Sequence, residues 1–176
     1  MPAHIKINAM TNFSDLISYF RLLAEEHVSI KHSESEKHFF RFEIDEVLAG
    51  LNRGDVNFPM LILEGYSFTF TDNRADNPIK NRNGAFVLLG RVKDASDFET
   101  LHDAWDELEE IGDDILSRIR YDKEQRTVPV VRNFNLENVN ASLIMNEIGN
   151  HAGIRYTFTI SSPLNADYDS TKWEEQ

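Results

Sequence analysis

Two stretches of this sequence repeat one alternation of aromatic and hydroxyl residues: residues 66–72 read YSFTFTD and residues 155–161 read RYTFTIS. In an extended strand successive side chains point to opposite faces, so each stretch presents an apolar row on one face and a Ser/Thr row on the other. Both stretches are therefore predicted to be strands of a sheet whose apolar face packs against helices. The predicted apolar rows comprise Tyr66, Phe68, Phe70, Ile154, Tyr156, Phe158 and Ile160.

Neighbouring stretches are predicted to extend this sheet. The apolar run MLIL follows Phe58-Pro59 and leads into residues 66–72, which predicts one strand over 60–72. The polar residues 73–84 are predicted to form a long hairpin loop, and loops of that length are more often functional than structural. Other strands are predicted at 85–94, Val128–Leu136, Ala141–Ile148 and Gly153–Ser161, with a break near Asn138 to Asn140 and a turn at 149–153.

Helical periodicity is present in three places. A first amphipathic helix is predicted from Phe13, capped by Asn12, and a short second helix is predicted to end at Gly54. Ser96 and Glu99 form a capping-box pattern that opens the longest helix. The predicted core stripe of that helix is Phe98, Leu101, Trp105, Leu108, Gly112, Ile115 and Ile119, and Gly112 predicts the close approach of another backbone. Its predicted outer face is Asp103, Asp106, Glu107, Glu110, Asp113 and Asp114.

The order of these elements predicts an α+β fold. We expect an antiparallel or mixed β-sheet, packed on one face by the long α-helix and the N-terminal helix. Residues 1–161 are predicted to form a single domain and residues 162–176 a C-terminal arm. The arm is polar but contains Tyr168 and Trp173, so it is expected either to fold back or to dock on a neighbour, and we favour docking.

Composition excludes several classes of function. The 176 residues contain no cysteine, so disulfides, thiolate metal sites and cysteine nucleophiles are impossible. No apolar run approaches the length that spans a bilayer, so a cytosolic product without a membrane partner is expected. With 30 acidic and 18 basic residues the net charge is −12, which disfavours electrostatic capture of nucleic acid. The densest basic stretch contains Arg74, Lys80 and Arg82, interrupted by Asp72 and Asp76.

Motifs that carry chemistry are weak. Glu99 and His102 match the Glu-x-x-His spacing of di-iron helices, but the chain has no second copy of that motif. The acidic residues 103–114 are predicted to be a solvated helix face, although carboxylates can also bind a divalent cation. No nucleophile elbow or phosphate-binding glycine loop is present. We therefore predict no catalytic residues, no metal and no cofactor, and a protein that is not an enzyme.

The element order and the Phe-Pro step in FPMLILEG, residues 58–65, resemble the tail-terminator and tail-completion (neck) proteins of long-tailed bacteriophages. The resemblance covers Phe13 to Ser161. It implies a structural virion protein that forms a homohexameric ring, caps the tail tube and joins it to the head–tail connector. It also implies assembly in the host cytoplasm, a final location in the virion tail or neck, and DNA that passes through the lumen without specific binding.

This resemblance and the sequence pattern together predict an interface with other subunits or partners. The predicted interface residues are Thr69, Thr71, Arg74, Asn77, Lys80, Arg82, Thr157, Thr159, Tyr168 and Trp173. Two alternatives stay open. One is a monomeric or dimeric domain that binds a small molecule or protein, with a pocket between sheet and long helix near Trp105. The other is an enzyme that uses Glu99 and His102 with nearby carboxylates.

Overall fold

The computed structural model describes residues 12–41, 56–72, 78–94, 96–126, 128–146, 150–164 and 168–174. Three of the sequence predictions lie outside these residues: the short second helix that ends at Gly54, and the interface residues Arg74 and Asn77.

The described chain has two α-helices and six strands, so the predicted α+β class is confirmed. Helix α1 spans Phe13–Glu26 and helix α2 spans Phe98–Gln125. The strands are β1 (Phe39–Phe40), β2 (Met60–Leu63), β3 (Ser67–Thr71), β4 (Ile79–Arg91), β5 (Asn140–Asn146) and β6 (His151–Pro163).

All six strands belong to one mixed sheet, ordered β1-β2-β4-β6-β5, with β3 also paired to β4. Strands β1 and β2 are parallel, and every other pair is antiparallel. The centre of the sheet is the pair β4 and β6, which align along their whole lengths from Ile79 opposite Pro163 to Arg91 opposite His151. This long pair carries every other strand except β1.

The predicted single strand over 60–72 is two strands separated by a β-bulge. Leu63 pairs with Phe86 and Ser67 pairs with Asn83, so residues 64–66 oppose only residues 84–85. An extra residue on one strand reverses the alternation of side chains beyond it. The odd-numbered Leu61 and Leu63 therefore face the main core before the bulge, and Tyr66 packs against that same core after it.

The main core lies between the two helices and one face of the sheet. It joins buried residues of α1 and α2 to the predicted apolar row of β6, which confirms the burial of Ile154, Tyr156, Phe158 and Ile160. The ring of Phe86 stacks on Tyr156 at 4.7 Å between centroids, and Phe20 stacks on Phe158 at 5.7 Å. Phe68 and Phe70 lie on the helix side of the sheet, as predicted, but they are 49% and 56% exposed, so the expected packing against the helices does not occur there.

The opposite face of the sheet is divided between two kinds of surface. Next to β1, Met60, Ile62, Val87 and Leu89 form a second, fully buried apolar cluster. Toward β3 the same face carries the predicted hydroxyl rows, which are exposed or half-buried. The polar face is therefore confined to one half of the sheet, which the alternation in 66–72 and 155–161 does not reveal.

Helix α2 begins one residue later than the capping-box pattern predicts. Asp97 is its N-cap: its carboxylate accepts hydrogen bonds from the Glu99 amide at 3.1 Å and the Thr100 hydroxyl at 2.7 Å. The hydroxyl of Ser96 instead donates to Asp94 at 2.6 Å. Phe98 is 69% exposed, so its predicted place in the core is also wrong, because the first turn of α2 leads into the core only at Leu101.

Two other loop and strand predictions are wrong. Val128–Leu136 is not a strand, because Pro129 opens a short 3-10 turn over Pro129–Val131 and only Phe134 bridges to the sheet, at Ile160. The hairpin loop is also shorter than predicted, since β4 begins at Ile79 opposite Thr71. Lys80 and Arg82 therefore lie in a strand rather than in a loop tip.

Candidate assembly surface

Strand β3 is exposed along its whole length on both faces. Among the described strands it pairs only with β4, so its outer edge faces no described strand. Edges of this kind pair with other chains unless something covers them. We call residues 67–71, 79–83 and 159–163, which lie side by side here, the open end of the sheet.

On the helix side, the open end carries an aromatic and cationic patch. The bulge places Phe68 and Phe70 on this side, with ring centroids 5.6 Å apart. The Nζ of Lys80 lies over both rings, 4.0 Å from the centroid of Phe68 and 5.9 Å from that of Phe70. A cation over an exposed ring contributes about 0.5–1 kcal/mol. The patch is therefore an ordered apolar surface on the outside of the molecule.

On the other side, the open end carries a ladder of hydroxyl and amide groups. The Asn81 amide donates to the Thr71 hydroxyl at 3.0 Å and accepts from the Ser161 hydroxyl at 2.7 Å. In the next row, the Thr159 hydroxyl donates to the Asn83 side-chain oxygen at 3.0 Å. These bonds cross from β3 to β4 to β6. They order the side chains into an uncharged surface and do not involve the outer backbone edge of β3.

Arg82, on the helix side of the open end, is a buried cation with 4% of its surface exposed. Its Nη1 donates to the Ser162 hydroxyl at 2.7 Å. Its buried Nε has no hydrogen-bond partner among the described residues, and no described carboxylate forms an ion pair with this guanidinium. Buried charges are normally paired, so an unpaired one indicates a place where an anionic group would bind favourably.

An open groove of about 670 Å³ begins beside Arg82, at the ends of β4 and β6. Its charged lining residues are Lys123, Arg132 and Glu137, and Ser162, the partner of Arg82, also lines it. Lys123 is held in place by a 2.6 Å hydrogen bond from its Nζ to the Phe134 carbonyl. Two of these three charged lining residues are cations, although the chain as a whole has a net charge of −12.

The C-terminal arm leaves the molecule at the same end. The Leu164 amide donates to the Pro78 carbonyl at 2.8 Å, which holds the start of the arm beside β4. Farther along, the rings of Tyr168 and Trp173 stack on each other at 6.3 Å and remain 70% and 65% exposed. Two large aromatic side chains are thus ordered against each other but left open to solvent.

A second groove, of about 470 Å³, lies between helix α2 and strands β5 and β6. Glu109 and Asp113 line its helix side, and Leu143 and Tyr156 line its sheet side. Burial, together with these two carboxylates, raises the pKa of Tyr156 to about 12. Trp105 does not line this groove. Its indole nitrogen instead donates to the Ile144 carbonyl at 3.2 Å, which ties α2 to the edge strand β5.

The residues of the predicted catalytic alternative lie near the start of helix α2. Glu99 and His102 are both exposed on α2, and the His102 ring stands 6.1 Å from that of Trp105. Among the described residues, no three His, Asp or Glu side chains are grouped so that they could hold a metal ion. The described helices also include none long and apolar enough to cross a membrane.

The open end brings together most of the predicted interface residues that the structure describes. Thr69, Thr71, Thr157 and Thr159 share the polar face, while Lys80 and Arg82 lie on the helix side. Tyr168 and Trp173 lie in the arm. Sequence reasoning missed the exposure of Phe68 and Phe70 and the burial of Arg82. The signal in the sequence that could have predicted the bulge is the Glu64-Gly65 step, since glycine inside a strand pattern often marks a bulge.

Comparison with models of protein families, with curated proteins and with solved structures gives no match for this chain. The features that bear on function are therefore the open end of the sheet, the two grooves and the C-terminal arm.

Proposed function

We propose that this protein is a structural subunit that assembles with copies of itself into a ring, as the tail-terminator and neck proteins of long-tailed phages do. The observation that carries the proposal is the open end of the sheet, where an edge of β3 that faces no described strand adjoins exposed Phe68 and Phe70. Exposed aromatic surface beside an open edge is typical of an interface. A ring closes such edges by repeating one contact between neighbours.

The distribution of charge supports the same assembly. Helix α2 presents exposed carboxylates along its outer face, far more than the open end does. The acidic residues concerned are Asp103, Asp106, Glu107, Glu110, Asp113 and Asp114. A ring that directs this face toward its lumen would let DNA pass without adsorption, because like charges repel. The tail tube protein and the head–tail connector are the partners expected at the two faces of the ring.

The test is the native mass of the purified full chain, measured by light scattering over a range of concentrations and imaged by negative stain. We expect rings of six times the chain mass of 20.3 kDa. The double variant Phe68→Ser, Phe70→Ser should shift the assembly midpoint to at least tenfold higher concentration, because these rings are already exposed in the single chain. Phe98→Ser, which removes an exposed aromatic from the start of α2, is the matched control. A wild-type protein that stays monomeric at all concentrations, alone and with tail tubes, contradicts the proposal.

A binding domain is the second candidate, and the acidic groove between α2 and β5 is the observation that favours it. Its volume of about 470 Å³ falls within the range of small-molecule sites, about 300–1,000 Å³. Glu109 and Asp113 beside the apolar Leu143 suit a ligand with one cationic group and an apolar body. A thermal-shift screen of such amines checks this function. Stabilisation by an amine that is abolished in Asp113→Asn supports it, and an unchanged melting temperature for every amine counts against it.

A further inference from the structure

The charged residues of the C-terminal arm are mainly acidic, whereas those that line the groove beside Arg82, where the arm begins, are mainly cationic. Residues 165–176 contain four acids, Asp167, Asp169, Glu174 and Glu175, and one base, Lys172. In the described part, Asp169 forms an ion pair with Lys172 at 3.1 Å, while Glu174 is exposed. The arm therefore offers carboxylates next to two exposed aromatic rings.

The open end of the sheet supplies the matching groups. Lys80, Arg82, Lys123 and Arg132 form what we call the cationic corner: Lys80 lies opposite Ser162 in the sheet, Arg82 bonds Ser162, and Lys123 and Arg132 line the groove that Ser162 also lines. Phe68 and Phe70 adjoin Lys80. The corner thus combines cations with exposed rings, as the arm combines carboxylates with exposed rings.

Within residues 168–174, which the structure describes, the arm of the same chain forms no ion pair with the cations of this corner. Tyr168 and Trp173 stack on each other in solvent, and no described carboxylate pairs with Arg82. Among the residues that the structure describes, none supplies the buried guanidinium with an anion that would offset its desolvation. A neighbouring copy in a ring would bring an identical arm and could supply that anion.

We propose that the C-terminal arm of one subunit docks on the cationic corner of its neighbour. In this contact, carboxylates of residues 174–175 bind the guanidinium and ammonium groups of the corner, and Trp173 packs against the exposed aromatic patch. The contact is heterologous: the arm is given by one copy and received by the next, which generates a closed ring when the rotation closes. This inference rests on the proposed function and identifies the segment that links the subunits.

Nucleic acid is a less suitable occupant of the corner. Glu137 lines the same groove, α2 exposes an acidic face, and the whole chain has a net charge of −12. A phosphate backbone would therefore be repelled outside a small region. A short acidic segment with aromatic residues avoids that repulsion and also covers apolar surface. The chemistry of the corner therefore favours the arm.

Zero-length cross-linking of the full chain tests the contact. Equal amounts of ¹⁴N and ¹⁵N protein are mixed under assembling conditions and treated with a carbodiimide. The reagent activates a carboxyl group, and attack by a lysine amine forms an amide and releases the reagent as a urea. We expect mixed-isotope cross-linked peptides that join Lys80 or Lys123 to the arm. Cross-links of the arm to these lysines within single chains only, or none at all, overturn the inference.

Charge reversal provides the second test and avoids substitution of the buried Arg82. Glu174→Lys with Glu175→Lys should raise the concentration at the assembly midpoint by at least tenfold. Glu34→Lys with Glu36→Lys makes the same change of charge on an exposed connection and should have little effect. Lys80→Glu with Arg132→Glu should weaken assembly similarly, and combining it with the arm reversal should restore part of the loss.

The outcomes separate this inference from the function on which it rests. Normal ring formation by the arm-reversed variant, together with wild-type rings that give no mixed-isotope cross-links to the arm, refutes the arm contact and leaves the ring proposal standing. A wild-type chain that never assembles refutes both. Assembly that requires added DNA, with Lys80 and Arg132 protected by it, assigns the corner to nucleic acid and refutes the arm contact.

Discussion

At the scale of single residues, Gly112 shows how closely helix α2 approaches the sheet. The spacing of the helix predicted another backbone opposite this glycine, but the neighbour is the ring of Tyr156. A Cβ on residue 112 would collide with the hydroxyl of that ring, which is stacked on Phe86 and cannot retreat without disturbing the core. Sequence periodicity identified a close contact but not its partner.

We predict that Gly112→Ala lowers the free energy of unfolding by about 1–3 kcal/mol, the usual cost of overpacking, despite the better helix propensity of alanine. Denaturant unfolding of the full chain measures the change. Gly65→Ala is the control, because a Cβ there meets no atom within 4 Å, and it should change stability by less than about 0.5 kcal/mol. Equal effects of the two substitutions would contradict the packing described for α2.

Tyr156 also predicts how stability depends on alkaline pH. Its pKa is raised from 10.0 to about 12 by burial and by Asp113 and Glu109. The folded state therefore keeps a proton that the unfolded state releases near pH 10. The corresponding stability is fully present below pH 10 and is lost as pH rises through about 12.

We expect Tyr156→Phe to lose less stability than wild type when the pH is raised from 9 to 11.5, because phenylalanine has no proton to release. Denaturant unfolding at a series of pH values gives the two curves. Tyr121→Phe, on the exposed side of α2, should follow the wild-type curve. Parallel curves for wild type and Tyr156→Phe would show that this hydroxyl is not held protonated by the fold.

At the scale of elements, the start of α2 distinguishes a sequence motif from the cap that forms. We predict that Asp97→Ala lowers stability by about 1 kcal/mol, since it removes the acceptor for the Glu99 amide and the negative charge at the helix N-terminus. Ser96→Ala should change stability by less than about 0.5 kcal/mol, because the Ser96 hydroxyl bonds Asp94 outside the helix. Thermal unfolding of both variants measures the difference. A larger loss of stability in Ser96→Ala than in Asp97→Ala would instead indicate that Ser96 caps the helix, as the capping-box pattern predicts.

The bulge at residues 64–66 is the element that makes the open end possible. It reverses the alternation within a single run of the chain, so Tyr66 reaches the core beside Phe13 while Phe68 and Phe70 follow it onto the helix side. Without the bulge, Phe68 and Phe70 would share a face with the hydroxyl groups of β6. The exposed aromatic patch is thus a consequence of one inserted residue in a strand.

At the scale of the whole molecule, two tryptophans separate folding from assembly. Trp105 is half-buried and bonds the edge strand β5, so Trp105→Ala should destabilise the single chain by about 3 kcal/mol. Trp173 is exposed in the arm, so Trp173→Ala should leave chain stability nearly unchanged and weaken assembly. Thermal unfolding of dilute protein and light scattering of concentrated protein measure the two effects. Equal losses of melting temperature in the two variants would refute docking of the arm.

The sequence by itself determined the local character of the chain. Periods of two and of 3.6 residues are properties of neighbouring side chains, so 66–72, 85–94 and 153–161 were recognisable as strands, and α1 and α2 as amphipathic helices. The α+β class follows from their order. Net charge and the lack of cysteine are likewise complete in the sequence.

The tertiary structure alone decided which surfaces are covered. Alternation shows that two faces differ, but it does not show how far the helices extend over one of them, and so Phe68 and Phe70 proved exposed. The buried Arg82 donates a hydrogen bond to Ser162, which is 80 residues away in the chain. Contacts over such distances arise from strand pairing and the bulge. The candidate assembly surface, which consists of these contacts, therefore became visible only in the folded chain.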